Sequence, residues 1–405
     1  MSRQRLTAIA DSLRKDIVGG CLLLIVSVVA LIWANSGFGA GYESLRGLTL
    51  GPEALNLNLS LQTWAADGLL AFFFFVVGNE LKQEFVTGSL RDPRTAVVPL
   101  VSAVSGAVTP AVIFAAINFA DPAKLHGWGI PMATDVAFAV AVLAIFGKHM
   151  PPALRTFLLT LAVADDLVAV LVIATFYTTG VAIWWLVTAA ALVGVFWFLQ
   201  TSTFLDDKPV LRWLSYPPLA AAIWFAVHAC GIHATIAGVA MGLCMRTKTR
   251  PGEQLDPSHR VEHLLRPWTM GLMLPVFAFM SAGVHFDGFG QTLGDSIAVG
   301  IICGLVLGKL VGICGGAWLT TKISRARIDP SLEWIDIVAL SLLASIGFTV
   351  SLLISELSYQ QESFLDHAKS GVMLGSLLGA LIGVSLLTVR NRHYRALMRW
   401  KTNVS

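Results

Sequence analysis

Four ionisable side chains stand where such groups are rare. Asp135 lies in the run GIPMATDVAFAVAVLAIFG, Asp165 and Asp166 in FLLTLAVADDLVAVLVIATF, and Lys309 in IICGLVLGKLVGICGGAWL. Each run is apolar and long enough to cross a bilayer. At a rise of ~1.5 Å per residue, Asp135 sits roughly 15 Å into its run, and the Asp pair and Lys309 roughly 20 Å, near the middle of a core about 30 Å thick. Charge at that depth is costly and marks function by default. One lysine cannot neutralise three carboxylates, so the set is more than a structural ion pair. Adjacent aspartates on a helix point about 100° apart, so one can meet Lys309 while the other faces a water-filled cavity. Clustered carboxylates titrate as a unit, and a hard cation such as sodium seeks carboxylate and carbonyl oxygens. The chemistry this allows is exchange of protons for a small hard cation.

Two of the runs are also interrupted. Gly127, Gly129 and Pro131 precede Ala133-Thr134-Asp135, and Ala344-Ser345-Ile346-Gly347-Phe348-Thr349 interrupts the run 337–354. The expected unwound residues are Ala133 and Thr134 in one and Gly347, Phe348 and Thr349 in the other. Gly, Ser and Thr in a span are often packing residues. Here the breaks fall in the middle spans of two stretches of similar length, 95–178 and 296–391. Paired interrupted helices in corresponding positions point to a binding site in inverted-repeat transporters. Unwound backbone and opposed half-helix ends would supply oxygens and dipoles.

The elements that must carry these residues follow from composition. The chain has 405 residues, 56% hydrophobic and only 13% charged, against about 25% charged in a soluble domain. Disorder, a nucleic-acid binder and a soluble enzyme are excluded. The reading is an all-α polytopic membrane protein, one domain over 1–405, with spans near 17–34, 60–82, 95–119, 125–146, 152–178, 181–200, 211–229, 232–247, 267–284, 296–320, 331–357 and 369–391. The division at Gly231 between the seventh and eighth is the least marked. A short alternating stretch with a Gly-Pro turn suggests a small β-hairpin near 45–58. Twelve spans put 24 of the 28 Lys and Arg residues on the side of both termini, three (Arg46, Lys124, Lys369) on the other, and Lys309 within a span. That bias places both termini in the cytoplasm. The five cysteines lack metal-ligand spacing and read as packing residues.

At ATDVAFAVAVLAIFG and VADDLVAV the chain resembles the NhaA-type sodium/proton antiporters of bacteria. The likeness runs from about Ser12 to Arg392 and includes ANSG, GNELKQEFVTGSLRD, GIHATIAG, VEHLLRPW, LPVFAF, GLVLGK and SIGFTVSLLIS. The paired-break rule rests partly on this same family, so it adds no independent support. The resemblance implies twelve helices in which the fourth and eleventh are unwound and cross at mid-membrane, within inverted repeats of helices 3–5 and 10–12. It implies Asp166 as the central Na+-binding carboxylate, Asp165 pairing with Lys309 in the proton-loaded state, and Thr134 lining the site. Asp135 and Lys309 would balance half-helix dipoles. Exchange would be electrogenic, with Na+ and Li+ exported against H+, in the bacterial inner membrane, without cofactor or ATP. A pH-sensing mouth maps onto Glu80, Lys82, Glu84, Glu262 and His263, and a homodimer contact onto the hairpin. His233 reads as a packed, hydrogen-bonded histidine. Asn79 and Gln83 depart from the family's apolar residue and Arg, Ser281 from its Asn, and Glu356 is an additional acid.

Other readings fail on particular residues. His259-Arg-Val-Glu262-His263 matches H-x-x-E-H of inverted zinc peptidases, but no third ligand has suitable spacing. Gly294-Asp295 lacks the first glycine of GxGD, and no GxxxxGK[ST] loop is present. The serious rival is a sodium-coupled organic-anion symporter on a related broken-helix fold. A channel is the third option. Three acids around a single mid-membrane cation repel an anion, and titratable adjacent acids favour alternating access over a pore.

Overall fold

Long runs of Leu, Val, Ile, Ala and Phe without charge have one way to satisfy their backbone away from water, and that is a helix. The computed structural model describes residues 16–91, 93–178, 180–203, 208–284, 289–324 and 326–404. The basic segment 1–15, expected to lie in the cytoplasm, falls outside the described residues. In chain order the elements are α1 (Asp16–Ala34), α2 (Gly39–Gly47), β1 (Thr49–Leu50), β2 (Leu59–Ser60), α3 (Leu61–Val86), α4 (Pro93–Asn118), α5 (Pro122–Met132), α6 (Val136–Phe146), α7 (Pro152–Phe176), α8 (Ile183–Thr201), α9 (Pro209–Ala229), α10 (Thr235–Leu243), α11 (Pro257–Ala282), α12 (Phe289–Gly294), α13 (Ser296–Ile323), α14 (Trp334–Leu343), α15 (Phe348–Ser358) and α16 (Glu362–Val404).

Among the described residues eight helices are long and apolar enough to cross a membrane, and up to eleven spans result if each of three bent pairs counts as one. The protein is therefore an all-helical polytopic membrane protein. The count differs from twelve at the expected eighth span, 232–247. Gly231 turns the chain at a φ of 88°, and the next helix, α10, has nine residues, only ~13 Å of helix. At the small β-hairpin expected near 45–58, the second strand falls just past that range. Two-residue strands pair Thr49 with Ser60 and Leu50 with Leu59, and a left-handed Asn56 (φ 54°) lies in the connection. Lys369, expected outside the membrane, lies within α16 and is 1% exposed.

The residues group into two compact units, one of Phe38–Arg91 with Val170–Met280, the other of Lys15–Gly37, Asp92–Ala169 and Ser281–Ser405. In the first, α8 and α9 bury only 17% and 18% of their apolar stretches, so most of each helix faces outward and reads as lipid-facing. In the second, α7 buries 67%, and this is the helix with the two adjacent aspartates. The core of the second unit gathers Ala139, Leu143, Leu158, Leu161, Ile313, Leu340 and Leu343.

Within that unit α13 lies close against α4. A Cβ at Gly312 would sit 2.9 Å from Gly106 Cα and run into Ser105 O, whereas one at Gly315 would meet nothing within 4 Å. Ser105 Oγ donates to Gly312 O at 2.8 Å. Small residues permit this backbone approach, which sets the depth of Lys309. Gly312→Val is expected to cost about 1–3 kcal/mol in detergent thermal unfolding, the usual range for overpacking, while Gly315→Val stays near neutral.

Candidate functional site

The two interrupted helices meet at their breaks. On one side α5 ends in a tight 3-10 turn, residues 133–135 run extended, and α6 begins at Val136. On the other, α14 ends at Leu343 and α15 begins at Phe348. The halves are bent by 44° and 49°. Ala133, Thr134 and Gly347 lie in the breaks as expected. Phe348 and Thr349 do not, because they form the first turn of α15. The physical reason is that Thr349 has a carboxylate waiting for its N–H. Asp135 Oδ2 accepts from Thr349 Oγ1 at 2.9 Å and from Thr349 N at 3.3 Å.

Asp135 is also the N-cap of α6, its Oδ1 accepting from Phe138 N at 3.0 Å. One carboxylate thus serves the positive ends of two helices. One backbone bond and two hydroxyl-to-carbonyl bonds join the segments as well. Asp135 N donates to Ile346 O at 2.6 Å, Thr134 Oγ1 to Ala344 O at 2.9 Å, and Ser351 Oγ to Ile130 O at 2.7 Å. Thr134 and Asp135 are buried, 1% and 3% exposed.

Asp165, Asp166 and Lys309 are buried in the same unit, 2%, 5% and 0% exposed. Lys309 Nζ donates to Asp165 Oδ2 at 2.7 Å. Asp166 is the next residue of α7. A wide π turn, Gly304–Gly308, immediately precedes Lys309. A π turn inserts a residue into the helix and re-aims the side chains beyond it, and such turns are frequent at functional sites. Here Gly304 packs against Pro131 and Gly308 against Pro110, so the turn is seated on the segment leading into the first break. Lys309, expected to balance a half-helix dipole, places its ammonium on Asp165.

The residues expected at the pH-sensing mouth lie in the other unit. Glu262 on α11 accepts from Gln83 Nε2 at 2.9 Å and from Arg266 Nη1 at 3.0 Å, and Glu80 lies 3.5 Å from the same arginine. Lys82 and Glu84 are half-buried on α3, and His263 is exposed on α11. At the centre are residues that sequence reasoning does not assign to a site. Ser258 and Asn79 are fully buried, Ser258 Oγ donates to Asn79 Oδ1 at 2.7 Å, and Gln83 Nε2 donates to Ser258 Oγ at 2.8 Å. In the sequence Asn79 and Gln83 stand out only as departures from a family pattern. Their spacing of four in an otherwise apolar helix is the signal that they share a face. His233 is packed as expected, its ring 3.3 Å from both Asp67 and Thr235.

The family described as Na+/H+ antiporter 1 matches residues 10–387. The chain belongs to that family. Among its relatives, the Na(+)/H(+) antiporter NhaA of Thermobifida fusca is 57% identical over 402 residues, covering 98% of this chain and 97% of the relative. The Na(+)/H(+) antiporter NhaA 1/4 of Streptomyces coelicolor is 51% identical over 376 residues, 91% of each chain. That of Streptomyces antibioticus is 48% identical over 395 residues, 96% of this chain and 81% of the relative. In this member of the antiporter family, the two breaks and the Lys309–Asp165 pair are buried, hydrogen-bonded polar features of one unit.

The pair gives a direct test of coupling. Lys309→Met and Asp165→Asn are each expected to lower unfolding stability by about 3–5 kcal/mol, since each strands a buried charge. The double variant should lose less than the sum by about 0.5–3 kcal/mol. Additive losses in detergent unfolding would mean the two side chains do not meet.

Proposed function

We propose that this chain is a secondary antiporter that exports Na+ in exchange for imported H+ at the Asp165–Asp166 carboxylates. The observation that carries the reading is the buried Lys309–Asp165 ion pair at 2.7 Å, with Asp166 beside it. A lysine that holds one carboxylate while a second stands adjacent gives two states of similar cost, one with protons on the cluster and one with a cation among its oxygens. Only the occupant changes, so H+ and Na+ compete for one site that faces one side at a time. The names of the family and of its relatives accord with this reading.

In this proposal Asp166 is the central ligand, Asp165 trades Lys309 for the ion, and Thr134 lines the site. Li+ is a second substrate, and exchange is electrogenic. Asp135 keeps the two breaks together while the site opens to either side. Stretches 95–178 and 296–391, each a helix, a broken helix and a helix, act as inverted repeats. Glu80, Lys82, Glu84, Glu262 and His263 set the pH response. The protein sits in the bacterial inner membrane with both termini cytoplasmic and pairs with a second copy through the β1–β2 hairpin. The organic-anion symporter is disfavoured by the partners of the buried cations. Lys309, Lys369 and Arg390 are each on a carboxylate, which leaves them committed before any anion arrives.

Vesicles with an acid interior and a pH dye test this directly. External Na+ or Li+ is expected to dissipate the gradient, and no response between pH 6 and 9 would sink the proposal. Asp166→Asn is expected to abolish exchange while the purified protein remains folded and monodisperse. Retention of most activity would move the site elsewhere.

A further inference from the structure

We propose that α16 is a splint that positions the two halves of the broken α14–α15 helix, with Lys369 and Arg390 as positioning residues for ion binding. The transport consequence rests on the exchange site proposed above; the splint itself rests on contacts within one unit. α16 has 43 residues, roughly 65 Å of helix, so it outruns both half-helices together. Four of its positions fall at a strict spacing of seven: Lys369, Ser376, Gly383 and Arg390. A seven-residue repeat keeps one seam of a helix on one partner along its length.

Each of the four meets a different part of the broken helix, in order. Lys369 Nζ donates to Glu356 Oε1, near the end of α15, at 2.9 Å. Ser376 Oγ accepts from Gly347 N in the break at 3.2 Å. A Cβ at Gly383 would lie 3.1 Å from Leu343 Cδ2, at the last residue of α14. Arg390 Nε donates to Asp336 Oδ1, in the first turn of α14, at 2.8 Å. The Arg390–Asp336 pair is buried, and the Lys369–Glu356 pair joins a buried lysine to a partly buried glutamate. Lys369 is 1% exposed and Asp336 0%. Arg390 also reaches Glu333 at 2.8 Å, and Tyr394 OH donates to Asp336 Oδ2 at 2.7 Å.

Ion pairs that bury Lys369 and Asp336 are an expensive way to glue helices, because well-packed apolar residues hold as well. What charge pairs add is register. A helix with a break has a fault that packing alone leaves free to tilt, and here each half has its own ion pair to the same neighbour, with at least one partner fully buried. The first turn of α15 carries Thr349, which bonds Asp135. Fixing α15 on α16 therefore fixes the carboxylate at the meeting point of the breaks. Glu356, an extra acid by sequence, becomes the anchor of one half.

The experiment uses the full-length protein with Glu356→Gln, Asp336→Asn and the milder Ser376→Ala, which removes only the bond to Gly347 N. Hydrogen exchange followed by mass spectrometry is read on peptides covering 344–352. Each variant is expected to speed exchange there by about tenfold, a local opening, with residues 304–312 unchanged. In vesicles the half-saturating Na+ concentration is expected to rise about fivefold with a smaller change in maximal rate, and Lys369→Arg should keep both near wild type. Unchanged exchange at 344–352 in Ser376→Ala and in whichever ion-pair variant folds overturns the splint. So does a loss of maximal rate with half-saturation unmoved, which is what a purely structural role gives. Should the wild type itself show no Na+-driven proton movement, the transport reading fails, and the hydrogen-exchange arm still decides the splint.

Discussion

Breaking a helix in an apolar interior leaves N–H and C=O groups with no partner, and each such group costs several kcal/mol in hydrocarbon. In this chain two breaks are placed together so that each supplies what the other lacks. The carbonyls of Ala344 and Ile346 accept from Thr134 and Asp135, and Asp135 accepts from the first turn of α15. Neither break would be tolerable alone. The positions of α5, α6, α14 and α15 all follow from this mutual satisfaction, and α16 reaches the same place through Ser376.

Beside the breaks, the ion pair of Lys309 with Asp165 obeys the same economy. Among the described residues four aspartates, two lysines and an arginine are buried in one unit, and the charges at the mid-helix positions each have their own solution. Asp135 is spent on helix ends and Asp165 on Lys309, with Asp166 the next residue on the same helix. A site arranged so has its backbone already satisfied. In the exchange proposed for this site, swapping a proton for a cation would alter charge and ligands without unfolding anything.

Much of this was legible in the residues. Asp135, Asp165, Asp166 and Lys309 stand out because charge is so scarce around them, and Gly-Pro and Gly-Ser runs mark the breaks. Other features were not legible. Phe348 and Thr349 look like part of a break until Asp135 is seen to cap them. Lys369 reads as the outer end of a span, and only its contact with Glu356 shows that it is buried against a carboxylate. Asn79 and Gln83 read as departures from a pattern, yet with Ser258 they form the buried polar hub that leads to Glu262. The segment 232–247 is apolar throughout, and nothing in its composition announces that α10 is only nine residues long.

The division has a physical cause. Burying apolar surface and satisfying the backbone are local demands, so the sequence alone determined that the chain is helical, crosses a membrane many times, and carries a buried carboxylate cluster with one lysine. Which groups pair is not a local matter. That Thr349 belongs to a helix, and that Lys369 and Arg390 brace the two halves of one broken helix, depend on contacts between residues far apart in the chain. Only the packed structure, where each buried charge must find a partner within hydrogen-bonding reach, decided those.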